Sequence, residues 1–91
     1  MNIYAIRYMT KVEGQTEDGH FQVCYDNEED ARTSMLSDFH ERLKEVCEGS
    51  FCETTTVVTG PNGYDESTCD YCRIETAETT YQWWIDKMQL Q

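Results

Sequence analysis

Residues 26–49, DNEEDARTSMLSDFHERLKEVCEG, decide how the chain folds. Ala31, Met35, Leu36, Phe39, Leu43 and Val46 recur at steps of three and four, the period of a helix with one buried stripe. Asp38, Glu41, Glu45 and Glu48 recur at the same steps, with Asp30 on the same side two turns earlier. At roughly 100° per residue, the mean directions of the two sets differ by about 140°. One face is built for a core and the other carries negative charge. Asp26 is placed to cap this helix, with Glu29 three residues on. Glu28, Glu29 and Asp30 suit the positive end of the helix dipole, and Arg42 and Lys44 lie nearer the negative end. Gly49 is placed to stop it.

The helix needs a surface to cover, and the flanking sequence offers strands. Residues 2–9 alternate, with Tyr4, Ile6 and Tyr8 on one side and Ile3, Ala5 and Arg7 on the other. Residues 10–19 are polar and hold Gly14 and Asp18-Gly19, so they read as a loop. Residues 20–25 alternate again through Phe21, Val23 and Tyr25. After the helix, residues 51–58 are rich in threonine and valine and read as a strand. Gly60-Pro61-Asn62-Gly63 is a turn. Residues 70–76 make a further strand, and residues 80–88 the last one. Trp84 and Met88, four apart, also fit a helix there, but β-branched and aromatic content favours a strand. The predicted fold is one α+β domain over residues 1–91. A single amphipathic helix packs on a four- to five-stranded, mostly antiparallel sheet in the order ββαβββ.

Composition limits the function. Eighteen acidic side chains face seven basic ones in 91 residues, a formal charge of −11. A chain with that balance has no basic patch to displace counterions from nucleic acid, and an anionic membrane repels it. Its natural partners are positively charged, although acidity also confers solubility without any partner. No run of apolar residues is long enough to span a membrane. Residues 1–9 lack the apolar core and cleavage site of a signal peptide. Five cysteines without an export signal point to a reducing, cytoplasmic compartment.

Four of those cysteines form two pairs. Cys47 and Cys52 are separated by four residues, Cys69 and Cys72 by two, with sixteen between the pairs. Brought together across a hairpin, such pairs can hold one zinc ion, which would staple a small core. No glycine follows either pair to form a tight knuckle, and reduced, packed thiols are the other main reading. A redox pair at Cys69 and Cys72 fits poorly, because reactive pairs sit at helix N-termini and Asp70 would oppose thiolate formation. His20 and His40 have no partner at a spacing that suggests nucleophilic catalysis, and no phosphate-binding or hydrolase motif is present. The sequence predicts no enzyme.

Two surfaces remain as candidates for recognition. The first is the acidic helix face: Asp30, Asp38, Glu41, Glu45 and Glu48. Carboxylates three and four apart on a helix lie about 5–6 Å from each other, a row on the scale of a nucleic-acid backbone. The second is Trp84. Neighbouring Trp83 and Trp84 point to opposite faces of a strand, so one of them faces outward, rimmed by Gln82 and Asp86. In size and charge the chain resembles the small acidic inhibitors that phages and mobile elements make against host nucleases, such as anti-CRISPR proteins and other nucleic-acid mimics. That resemblance implies a protein that blocks a basic, nucleic-acid-binding surface of a larger partner. A zinc-stabilised adaptor using Cys47, Cys52, Cys69 and Cys72 is the alternative, and an exposed sheet face leaves room for a homodimer.

Overall fold

The computed structural model describes residues 2–49, 54–60, 63 and 66–89. Five strands and one helix follow one another as β1 (Asn2–Val12), β2 (Gln15–His20), α1 (Glu28–Gly49), β3 (Thr55–Thr59), β4 (Tyr71–Glu75) and β5 (Thr79–Gln89). This is an α+β fold in the expected element order. The sheet runs β2-β1-β5-β4-β3, and every neighbouring pair is antiparallel. The helix carries the chain from β2 at one edge to β3 at the other. Twenty-two residues rise about 33 Å in an α-helix, enough to cross the sheet.

The first hairpin departs from expectation. The turn lies at Glu13-Gly14, because Val12 opposes Gln15, and the region expected to loop is paired strand. Glu13 and Gly14 both have positive φ, 50° and 84°. A two-residue loop of that kind has the twist that joins adjacent antiparallel strands tightly. Asp18-Gly19, which looks like a turn in sequence, sits inside β2, with Gly19 opposite Tyr8. Residues 21–25, expected as a strand, only partly continue the ladder. Arg7 opposes His20, whereas Tyr4 opposes Tyr25, so two extra residues are bulged out between them. Backbone bonds from Phe21 N–H to Ile6 C=O (2.8 Å) and between Tyr4 and Tyr25 (2.7 and 2.8 Å) hold both ends of the bulge. Val23, at its apex, is 57% exposed.

The helix start is also shifted by one residue. Asn27, not Asp26, is the cap: its side-chain oxygen accepts the Asp30 N–H at 2.8 Å, and its amide donates to the Asp30 carboxylate at 2.8 Å. Asparagine caps as well as aspartate, and here Asp30 reaches back to it as the third helical residue.

Register divides the sheet into two faces. Tyr4, Ile6, Tyr8, Tyr81, Trp83, Ile85, Cys72, Ile74 and Val58 face the helix. Ala31, Met35 and Phe39 press onto them, and Ile6, Ala31, Met35, Ile74, Cys69 and Cys72 are fully buried. The helix packs across β1, β5 and β4 but not β2. The opposite face carries Ile3, Ala5, Arg7, Met9, Trp84, Gln82, Tyr71, Arg73 and Val57, and no element among the described residues covers it. The shortest extent, 18 Å, is that of two layers.

At the other hairpin, Gly60 and Gly63 exchange backbone bonds at 3.0 Å, while Pro61 and Asn62 lie outside the described residues. A Cβ on Gly60 would sit 2.5 Å from the Thr68 carbonyl, so only glycine fits there. Residues 51–53, expected to open the third strand, also lie outside the described residues. The last segment is a strand throughout, paired with both β1 and β4.

The positive φ of Glu13 yields a prediction. Asparagine tolerates the left-handed conformation better than glutamate. Glu13→Asn is expected to raise unfolding free energy by roughly 0.5–1 kcal/mol in urea denaturation. A loss of stability would place the turn elsewhere.

Candidate functional site

The acidic side of the molecule is built from α1 and the bulged segment after β2. A groove opens between the helix and this segment. It has a volume of about 510 Å³ and is lined by Phe21, Tyr25, Asp30, Thr33, Ser34, Ser37, Asp38 and Glu41. A second hollow of about 470 Å³ shares Phe21 and Asp38 with it and adds Tyr8, Glu17, Arg42 and Tyr81. Aromatic rings thus form one wall, and carboxylates with hydroxyls form the other. That combination suits a cationic side chain, which can stack on a ring while its N–H groups reach carboxylates.

The five carboxylates of the predicted row are not equivalent. Asp38 is half-buried and accepts a 2.7 Å hydrogen bond from the indole of buried Trp83, so it fastens the helix to the sheet. Asp30 is exposed but occupied in the Asn27 cap. Glu45 is exposed and pairs with Arg42 at 3.2 Å, and Arg42 also lies 5.0 Å above the Tyr81 ring. Glu41 and Glu48 are exposed and have no ion-pair partner among the described residues. Glu29, in the first turn, is likewise exposed with no ion-pair partner among the described residues, so unpaired charge lies at both ends of the helix. His40 meets Glu66 at 2.8 Å, and Arg32 donates to the Cys69 carbonyl at 2.8 Å while pairing with Glu28 at 2.9 Å. Those contacts tie the helix to the segment preceding β4.

Trp84 lies on the other side of the molecule, on the open sheet face. Trp83 is 3% exposed, whereas Trp84 is half-buried with the Arg7 guanidinium 4.5 Å above its ring and Tyr71 at 5.5 Å. The Tyr71 hydroxyl donates to Gln82 at 2.8 Å, and Asp86 receives Arg7 at 3.3 Å and His20 at 3.5 Å. Trp84 and the acidic row therefore belong to opposite surfaces.

The cysteines divide likewise. Cys69 and Cys72 are fully buried side by side, and the Cys69 thiol reaches the Glu66 carbonyl at 3.5 Å. Cys47 is exposed near the end of the helix, and Cys52 lies outside the described residues. Among the described residues, no group of three or more His, Cys, Asp and Glu is placed to hold a metal ion. Burial pushes both the Cys69 and Cys72 thiols up, and the neighbouring Cys69 pushes Cys72 up further. Ligation of zinc requires thiolates and would have to overcome that desolvation.

Sequence periodicity identified the acidic row but not the groove. Phe21 follows the β2 register opposite Ile6, whereas Tyr25 enters through the two-residue bulge, which has no local sequence signature. Arg7, Tyr71 and Arg73 join Trp84 on the open face through cross-strand register, which alternation within single strands does not specify. Comparison with protein-family models, curated proteins and solved structures finds no match to this chain. No helix of the described residues is long and apolar enough to cross a membrane.

Two outcomes follow from this geometry. Asp38→Ala leaves the buried Trp83 N–H without an acceptor and is expected to cost about 1–3 kcal/mol of stability, with Asp38→Asn costing less. Urea unfolding monitored by tryptophan fluorescence measures both, and equal stability of Asp38→Ala with the parent would remove the anchoring role. The raised thiols give a pH signature. The native state keeps protons that the unfolded chain releases above roughly pH 8.5, so stability is full below that pH and falls as pH rises further. Cys72→Ala is expected to flatten that decline, and a parent curve flat between about pH 8 and pH 10 would contradict it.

Proposed function

We propose that this chain is a small non-enzymatic binding protein that occupies a basic, nucleic-acid-binding surface of a larger protein. In this reading it is an inhibitor of the kind that phages and mobile elements make, resembling anti-CRISPR proteins and other nucleic-acid mimics in size and charge. The observation that supports the proposal is the run of exposed carboxylates on α1. Seven of the eighteen carboxylates lie on α1 (Glu28, Glu29, Asp30, Asp38, Glu41, Glu45 and Glu48) against three cations there, Arg32, Arg42 and Lys44. The helix is a rigid element, so its charges are presented at fixed spacing. Glu41, Glu45 and Glu48 contact the partner, Asp30 and Asp38 add field beside the groove, and arginines of the partner make charge-assisted bonds to the row.

A surface of this type recruits its partner by long-range attraction and loses affinity as salt screens it. The test is affinity capture from nuclease-treated bacterial lysate, washed at low and then high salt. Recovery of a nucleic-acid-binding protein that salt releases and added DNA or RNA displaces is the expected result. Reversal of Glu41, Glu45 and Glu48 to Lys, which spares the structural Asp38, is expected to weaken capture at least tenfold. Undiminished capture by that triple variant would end the proposal. Trp84 takes no part in this contact, since it lies on the opposite face.

A further inference from the structure

We infer that the open sheet face is the contact surface of a two-fold homodimer, in which two copies stack their sheets face to face. The inference starts from register. On the side that no described element covers, His20, Arg7, Trp84, Tyr71 and Thr59 form one row across all five strands, and Asp18, Met9, Gln82, Arg73 and Val57 form the next. Ile3 and Met88 oppose each other beyond them. Rows that mix Trp, Tyr, Arg and Met with few exposed carboxylates have the composition of an interface centre.

Charge favours a second copy as the occupant. The strand positions on this face carry Arg7, Lys11 and Arg73 against Asp18, Glu75 and Asp86, three of each sign. The formal charge of −11 therefore resides elsewhere on the chain. A neutral face does not repel its own image, whereas it offers nucleic acid no net attraction to offset the repulsion from the rest of the molecule.

Distance removes the remaining objection, that two such acidic chains repel. Layers pack about 10 Å apart, so helices on the two outer sides of a four-layer stack are separated by roughly 30 Å. That is more than three Debye lengths at physiological salt, where one is about 8 Å. Area is adequate but not generous. Strands about 4.8 Å apart and about 3.3 Å per residue give a face on the order of 600 Å² per copy, which places the pair near the lower limit for a stable dimer. The inferred dimer is reversible, and its test is set at a micromolar dissociation constant.

Sedimentation equilibrium on the full chain tests this. The expected mass is twice the chain's 10.7 kDa at high concentration and returns to 10.7 kDa on dilution. High salt leaves the dimer intact or strengthens it, the reverse of the salt response of the acidic helix, so the two claims fail independently. Trp84→Glu is expected to weaken the dimer at least tenfold. Met9→Glu, on the same face and away from the helix, should do the same, and circular dichroism checks that each variant folds. A parent that stays at 10.7 kDa at roughly 100 μM, far above a micromolar dissociation constant, would overturn the inference. So would a dimer that survives both substitutions, or one that dissociates as salt rises.

Discussion

The fold turns on the Trp83 indole. Its ring lies at the crossing of helix and sheet, edge-on to Phe39 with centroids 5.7 Å apart and stacked beside Tyr81 at 6.4 Å. Its N–H is directed up to the Asp38 carboxylate at 2.7 Å. An indole supplies more buried area than any other side chain but requires a partner for its one donor. A carboxylate on the helix meets that requirement and fixes how the helix is rotated about its own axis. With Asp38 turned inward at its edge, Met35 and Phe39 face the sheet, and Glu41, Glu45 and Glu48 are turned out toward solvent. The charged face is thus oriented by a core contact.

From that orientation the two surfaces follow. A groove with aromatic and acidic walls runs beside the helix. The far side of the sheet is left with Trp84, Tyr71 and Arg7 packed against each other and with balanced charge. Ionic attraction suits the first surface and apolar contact the second. A chain this small can bear both because a two-layer fold has two outer sides. Burial of Cys69 and Cys72 under the helix adds core volume that the modest apolar content would otherwise lack.

Much of this order is written locally. The helix of residues 26–49 is legible because its buried stripe and its charges both follow a period of 3.6, and β1 because Tyr4, Ile6 and Tyr8 alternate with Ile3, Ala5 and Arg7. The first hairpin is not legible, because Asp18-Gly19 is a stronger turn signal than Glu13-Gly14. Pairing of eleven β1 residues with β5 prevails over that preference by extending β1 to Val12. The cap at Asn27 rather than Asp26 is a difference of one residue between two good caps, decided by where the buried stripe must point. Asp38 is the instructive site residue. In sequence it belongs to the acidic row, and only the cross-sheet position of Trp83, 45 residues away, makes it a structural acceptor.

The central claim is that cationic partners meet the outer face of α1. The most direct measurement is an amide-resolved NMR titration of the isotope-labelled chain with an arginine-rich peptide, at low and high salt. The account predicts shifts at Ser34, Ser37, Glu41, Glu45 and Glu48 that vanish at high salt, with Tyr71, Gln82 and Trp84 unmoved. Shifts centred on Trp84, or uniform shifts over every exposed carboxylate, would contradict it.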